Sequence, residues 1–177
     1  MSDGTHNLRM SDLVEQFADL LYRYAYRLTG NPVDAEDLTQ QTFLRAQQKS
    51  HQLRDLGAAG WWLCSIMRNA YLTSRRRHSF TRSLEGLEQS LSVEEPSEES
   101  IDSDDLQRAL LELPEDFRSP IILYYYEEFS YQQIAKQMRV PIGTIMSRLS
   151  RAKAFLRQRL SAVADIHHCR SRERITQ

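Results

Sequence analysis

Apolar residues recur along this chain in steps of three and four, the helical period, and no alternating run of useful length interrupts them. Leu13, Phe17, Leu20, Leu21, Tyr24 and Leu28 fall on one stripe, with Ser11 or Asp12 to cap its start and Gly30-Asn31-Pro32 to stop it. Asp34 offers an N-cap for a second helix through Ala35, Leu38, Phe43 and Ala46 to about Gln48. The stretch from His51 to Gly60 reads as a loop. A third helix runs from about Ala59 to Arg77, with Trp62, Leu63, Ile66, Met67 and Ala70 on its apolar side. Residues 10–78 thus hold three helices, enough to close one small core.

The period disappears between residues 79 and 104, where Ser and Glu dominate around Pro96. Such a composition cannot bury enough apolar area to offset its ordering entropy, so this segment is expected to be a flexible acidic linker. Helical spacing returns over 105–160. Leu106, Leu110 and Leu113 form a short stripe; Pro114 can begin the next helix, which carries Phe117, Ile121, Tyr124 and Tyr125 on one face. Ser130 with Gln133 fits a capping box for a short helix containing Ile134, Ala135 and Met138. Pro141 then breaks the chain, and a last helix carries Ile145, Leu149, Ala152, Leu156 and Leu160. Short helix, tight turn and longer helix is the layout of a helix-turn-helix. The expected fold is all-α: two small helical domains on a tether, with 161–177 a disordered tail.

Composition narrows the function. Charged residues make up 27% of the 177 and the hydrophobic set 41%, a soluble globular mixture with no run approaching a membrane span. The opening MSDGTHNLRMSD lacks the basic-then-apolar layout of a secretory signal, and two cysteines, Cys64 and Cys169, make no disulfide framework, so a cytoplasmic protein is expected. The net charge of −1 hides a segregated pattern. Five arginines and no acid lie between Arg68 and Arg82; nine acids and no base lie between Glu85 and Asp105; seven bases and no acid lie between Lys136 and Arg159. Two basic blocks can be no more than solvated helix faces, but together they point to a polyanion such as nucleic acid.

On the last helix Thr144, Ser147, Arg148, Arg151 and Lys153 fall outside the apolar stripe. Short hydroxyls and a bidentate arginine in the first turns of such a helix suit base edges in a major groove, and Lys153, Arg157 and Arg159 suit phosphates. The third helix mixes Trp61, Trp62 and Tyr71 with arginines, a pairing that suits unpaired bases, although a core role fits at least one tryptophan. The second helix opens with Asp34, Glu36 and Asp37, which fit either the helix dipole or a protein-binding face. No glycine-rich phosphate loop, metalloprotease motif or nucleophile motif is present, so an enzyme is not expected. His167, His168 and Cys169 lie close together, but their spacing matches no closed zinc site, so neither a metal nor another cofactor is expected.

Four stretches, GNPVDAEDLTQQTFLRA, WWLCSIMRN…RRR, LPEDFRSPIILYYYEEFSYQQIA and VPIGTIMSRLSRAKAFLR, resemble in order the bacterial sigma-70 family, in its extracytoplasmic-function (ECF) group. The resemblance spans about Phe17 to Leu160. It implies sigma region 2 over 10–78 and sigma region 4 over 105–160, bound to the β′ and β subunits of core RNA polymerase and to promoter DNA. The polymerase-binding surface would fall on Asp34, Asp37, Leu38, Gln41 and Phe43. Reading and melting of the −10 element would fall on Arg68, Asn69, Tyr71, Arg75, Arg76 and Arg77. The −35 reader would be Thr144, Ser147, Arg148, Arg151 and Lys153. An anti-sigma protein, usually membrane-bound in this family, would hold the factor inactive without the chain itself entering the membrane. Arg139 stands where the family has glycine in the helix-turn-helix turn, at a cost of about 1 kcal/mol if that position needs positive φ. Met146, Thr73 and Gln47 replace the family's usual lysine, aspartate and tryptophan. The competing reading is a helix-turn-helix regulator that binds duplex DNA without polymerase and uses residues 10–77 to dimerise or sense a ligand.

Overall fold

The computed structural model describes residues 10–53, 55–85 and 101–173, with side chains described for 10–53, 55–76 and 104–161. Among these residues every regular element is a helix, and the chain divides into two units, 1–86 and 87–177.

The first unit is built from α1 (Met10–Thr29), α2 (Pro32–Gln48) and α3 (Ala59–Glu85). Gly30, at φ 73°, ends α1 in the left-handed conformation and donates its N–H to the Tyr26 carbonyl at 2.8 Å. Asn31, not Asp34, caps α2: its side-chain oxygen accepts from the N–H groups of Val33 and Asp34 at 2.8 and 3.1 Å. Pro32 occupies the first helical position because its missing N–H would have no partner there and its fixed φ is already helical. The result is a two-residue connection that lays α2 against α1.

Leu13, Leu21, Tyr24 and Leu28 of α1, Leu38 of α2 and Leu63, Ile66 and Met67 of α3 are all buried where the three helices pack together. Phe17 and Leu20, on the edge of the α1 stripe, are half-buried. A Cβ at Gly60 would stand 3.1 Å from a Phe17 ring carbon, so glycine lets the start of α3 approach α1 closely. The loop expected before α3 contains two short 3-10 turns, Ser50–Gln52 and Leu56–Ala58, the second capped by Asp55 through the Gly57 N–H at 2.9 Å.

The second unit holds α4 (Ile101–Glu112), α5 (Glu115–Tyr125), α6 (Tyr131–Met138) and α7 (Ile142–Glu173). Pro114 precedes α5 as its cap rather than beginning it. Ile121, Ile122, Leu123, Ile134, Ile145 and Leu149 are buried together with Leu110 and Leu113. Arg118 is buried as well, and its guanidinium donates to the carbonyls of Leu111 and Leu113, closing the end of α4. Those carbonyls have no intrahelical partner, and a charge-assisted hydrogen bond of this kind contributes about 1.5–3 kcal/mol.

The capping box appears as expected: Ser130 accepts from the Gln133 N–H at 3.3 Å while Gln133 Oε1 accepts from the Ser130 N–H at 2.9 Å. Arg139 adopts φ 56°, ψ 44°, so the turn keeps the left-handed geometry that favours glycine and tolerates arginine at a cost. Val140 follows by donating to the Ala135 carbonyl at 3.1 Å.

Helix extends further than the sequence reading had it. α3 reaches Glu85 and α4 starts at Ile101, so the segment read as linker is helical at both ends, while residues 86–100 lie outside those described. α7 continues through Glu173, so the expected disordered tail is helical over 161–173: no glycine or proline follows Gly143 to stop it. The side chains of His167, His168 and Cys169 lie outside the described residues.

Candidate functional site

In α2 the buried positions are Ala35, Leu38, Thr42 and Ala46. Leu38 is only 6% exposed, so its side chain belongs to the core rather than to a surface. Thr42 is fully buried, its hydroxyl satisfied by the Leu38 carbonyl at 2.7 Å. The opposite face follows Val33, Asp37, Gln40 and Leu44 in steps of four, three and four. Val33 is 66% and Leu44 61% exposed, both on this one face. Asp34, Asp37 and Gln41 are exposed beside them, and Phe43 is half-buried at the edge. The sequence reading named Leu38 and neither Val33 nor Leu44, and spacing alone does not say which apolar residues two neighbouring helices bury.

In α3 the expected DNA-facing residues divide. Tyr71 is 8% exposed, and its hydroxyl donates to the Leu28 carbonyl at 3.0 Å, tying α3 to the end of α1. Arg68 is 9% exposed. Asn69, Arg75 and Arg76 are exposed, with the Arg75 guanidinium 5.9 Å from the Tyr71 ring centre, within cation–π range. The Arg77 side chain lies outside the described residues. Trp61 and Trp62 are both half-buried.

In α7 the buried stripe is Ile145, Leu149, Ala152 and Leu156, and the face opposite it is Gly143, Ser147, Ser150 and Ala154. This row of small residues is flanked on one side by Thr144, Arg148 and Arg151 and on the other by Met146, Lys153 and Arg157. The structure therefore brings Thr144, Ser147, Arg148 and Arg151 together, and sets Lys153 apart across the row. Nothing lies within 4 Å of a Cβ built on Gly143, so the start of the face is open. Ser147 donates its hydroxyl to the Thr144 carbonyl at 2.9 Å.

Charge on this face is not uniform. Arg148 is ion-paired with Asp116 of α5, Nη2 to Oδ2 at 3.3 Å, and its side chain is only 19% exposed. Arg159 meets Glu112 of α4 through two hydrogen bonds of 2.7 and 2.8 Å, which hold its guanidinium pKa further above the ordinary value. Among the described residues Arg151, Lys153 and Arg157 are exposed and have no ion-pair partner. The acid-free run of α7 is thus partly neutralised from neighbouring helices, and the three unpaired bases mark where its field is strongest.

Between α5 and α6, the Tyr124 ring stacks on Tyr131 at 4.8 Å and meets Tyr125 edge-on at 4.9 Å. A side-chain hydrogen bond with Tyr124 pushes the Tyr131 phenol pKa up. Among the described residues no cluster of His, Cys, Asp or Glu could hold a metal ion, and no helix is long and apolar enough to cross a membrane.

Residues 13–81 match the Sigma-70 region 2 family, and residues 103–156 match Sigma-70 region 4. The chain is 40% identical over 158 residues to the ECF RNA polymerase sigma factor SigE of Mycolicibacterium smegmatis, covering 85% of this chain and 61% of that one. It is 34% identical to the ECF RNA polymerase sigma factor SigL of Mycobacterium tuberculosis, over 84% and 86% of the two chains. Its structure superposes on the sigma factor RpoE of Bartonella quintana, solved in complex with the anti-sigma factor NepR, with a TM-score of 0.76 and 29% identity over 85% of this chain and 96% of that one. With both sigma regions present in order on one chain, and relatives of that group at 40% and 34% identity, this protein belongs to the sigma-70 family, in its ECF group.

Proposed function

We propose that this chain is a cytoplasmic transcription initiation factor that binds core RNA polymerase through its first unit and directs it to promoters carrying −10 and −35 elements. The observation that carries the reading is the presence of regions 2 and 4 of one family in order. A free-standing DNA-binding regulator has no use for the first of them. An anti-sigma protein is the expected inhibitor, by analogy with the complex of RpoE and NepR. The protein acts without catalytic residues of its own and without a cofactor, since the chemistry belongs to the polymerase.

The polymerase surface is the outer face of α2: Asp34, Asp37 and Gln41, with Phe43 at its edge and the exposed Val33 and Leu44 as apolar anchors. Leu38 supports that face from beneath. Acids beside the exposed Val33, with Leu44 further along the same face, suit a basic, partly apolar partner helix. In α3, Asn69 and Arg75 to Arg77 address the −10 strand while Tyr71 and Arg68 hold the helix in place. In α7, Thr144, Ser147, Arg148 and Arg151 face the −35 duplex in the major groove, and Lys153 with Arg157 reaches phosphates from the other flank.

The test is a titration of the chain against bacterial core RNA polymerase without DNA. Tight one-to-one binding is expected, weakened at least tenfold by the pair Asp37→Lys and Leu44→Asp, with the melting temperature unchanged. Absence of binding by the folded, inhibitor-free chain would sink the initiation-factor reading.

A further inference from the structure

An ion pair joins α5 to α7. Arg148 sits on the flank of the α7 face nearest α5, and Asp116 lies in the first turn of α5. The carboxylate meets Nη2 through Oδ2 at 3.3 Å, while the Asp116 side chain is 57% exposed and the Arg148 side chain 19%. Asp116 therefore reaches the guanidinium from the solvent edge of the domain rather than from the core.

A guanidinium has five N–H donors in a planar fork, and this contact engages it at one nitrogen. The remaining donors keep the fork geometry that reads two acceptors on one base edge. An arginine on an open helix face surrenders rotamer freedom when it docks in a groove; one already held by a carboxylate surrenders less. Neighbouring charge also decides what the arginine is good for. With an acid 3.3 Å away, Arg148 adds little net attraction for a phosphate backbone, whereas Arg151, which has no such partner, retains its full charge. The pair thus divides the labour on one face, with Arg148 oriented for a base and Arg151 charged for the backbone.

We infer that Asp116 is a positioning residue for promoter specificity, orienting Arg148 so that it discriminates one base pair of the upstream element. This rests on the proposal that α7 reads the −35 duplex. Asp116 also lies at a helix N-terminus, where any carboxylate stabilises the helix, so the test needs a readout that helix stability would not move.

The full chain is assembled with bacterial core RNA polymerase and offered linear duplexes randomised over both promoter elements, and the bound fraction is sequenced. Arg148→Ala is expected to flatten the preference at one upstream base pair by roughly tenfold. Asp116→Asn is expected to flatten the same base pair while leaving the other preferences and the melting temperature in place, and Asp116→Glu to restore part of the loss. In salt titrations on the best wild-type duplex, Arg151→Ala lowers the slope by about one, and Arg148→Ala by clearly less. Retention of the wild-type preference by Asp116→Asn overturns the inference. So does an even gain in affinity for all duplexes, which would make Asp116 a simple repeller of DNA. If Arg148→Ala itself leaves every upstream preference intact, the assignment of the α7 face fails, and the role of Asp116 falls with it.

Discussion

The two units differ in where their candidate residues lie: Leu38, Arg68 and Tyr71 of the first are buried, and none of Thr144, Ser147, Arg148, Arg151 and Lys153 in the second is. In the first unit α2 packs against both α1 and α3 and buries Ala35, Leu38, Thr42 and Ala46, while α3 buries Arg68 and Tyr71. What α2 leaves exposed is the opposite face, with Val33, Asp37, Gln40 and Leu44 along it. In the second unit the described part of α7 buries one stripe, Ile145, Leu149, Ala152 and Leu156, and leaves Thr144, Ser147 and Arg151 outside it. Both helices bury a stripe of similar spacing, and what differs is whether that stripe takes in a residue the sequence offered to a partner, as Leu38 shows on α2.

That contrast is tested most severely at Leu38 and Leu44, six residues apart on α2. Leu38→Ala opens a cavity in the first core and is expected to cost about 2–5 kcal/mol, read by denaturant unfolding. Leu44→Ala should leave unfolding unchanged and weaken polymerase binding instead. Equal stability of both variants would break the distinction between the enclosed and the free side of the helix.

Tyr71→Phe comes next. Loss of the hydroxyl leaves the Leu28 carbonyl without that donor and should cost about 1 kcal/mol of stability while promoter opening by the assembled polymerase is unaffected. A fall in opening with unchanged stability would return Tyr71 to the DNA-contacting set.

In the second unit Arg139→Gly should act in the opposite direction. It relieves a positive φ of 56° and is expected to stabilise the chain by about 0.5–1 kcal/mol, the gain reduced by the greater freedom of glycine when unfolded. The smallest effect is expected for Glu112→Gln. The Arg159 pair is well formed but open to solvent, so melting should shift within measurement error, with no residual difference at high salt.

Much of this arrangement is local chemistry. Apolar spacing located six of the seven α-helices among the described residues closely at the start, because a stripe at steps of three and four has no other way to be buried. The capping box at Ser130 and Gln133 and the break at Pro141 depend only on neighbours in the chain, and both appear where they were expected. The competition between Asn31 and Asp34 for the α2 cap was less legible. Both are good capping residues, and the choice turned on Pro32 tolerating the first helical position.

The sequence by itself determined the all-helical class, the division into two helical units, the helix-turn-helix turn and the residue types available on α2, α3 and α7, since these follow from period, caps and charge within short windows. Tertiary structure decided which of those residues are offered to a partner. Leu38 and Leu44 are the same side chain on the same helix, and only the presence of α1 and α3 on one side makes the first core and the second surface. Tyr71 is turned from a base-stacking candidate into a clasp by a carbonyl 43 residues earlier in the chain. Arg148 gains its acid from another helix, although no acid occurs in its own basic run. Burial and ion pairing are properties of neighbours distant in sequence, and the periodicity of a single helix carries no information about them.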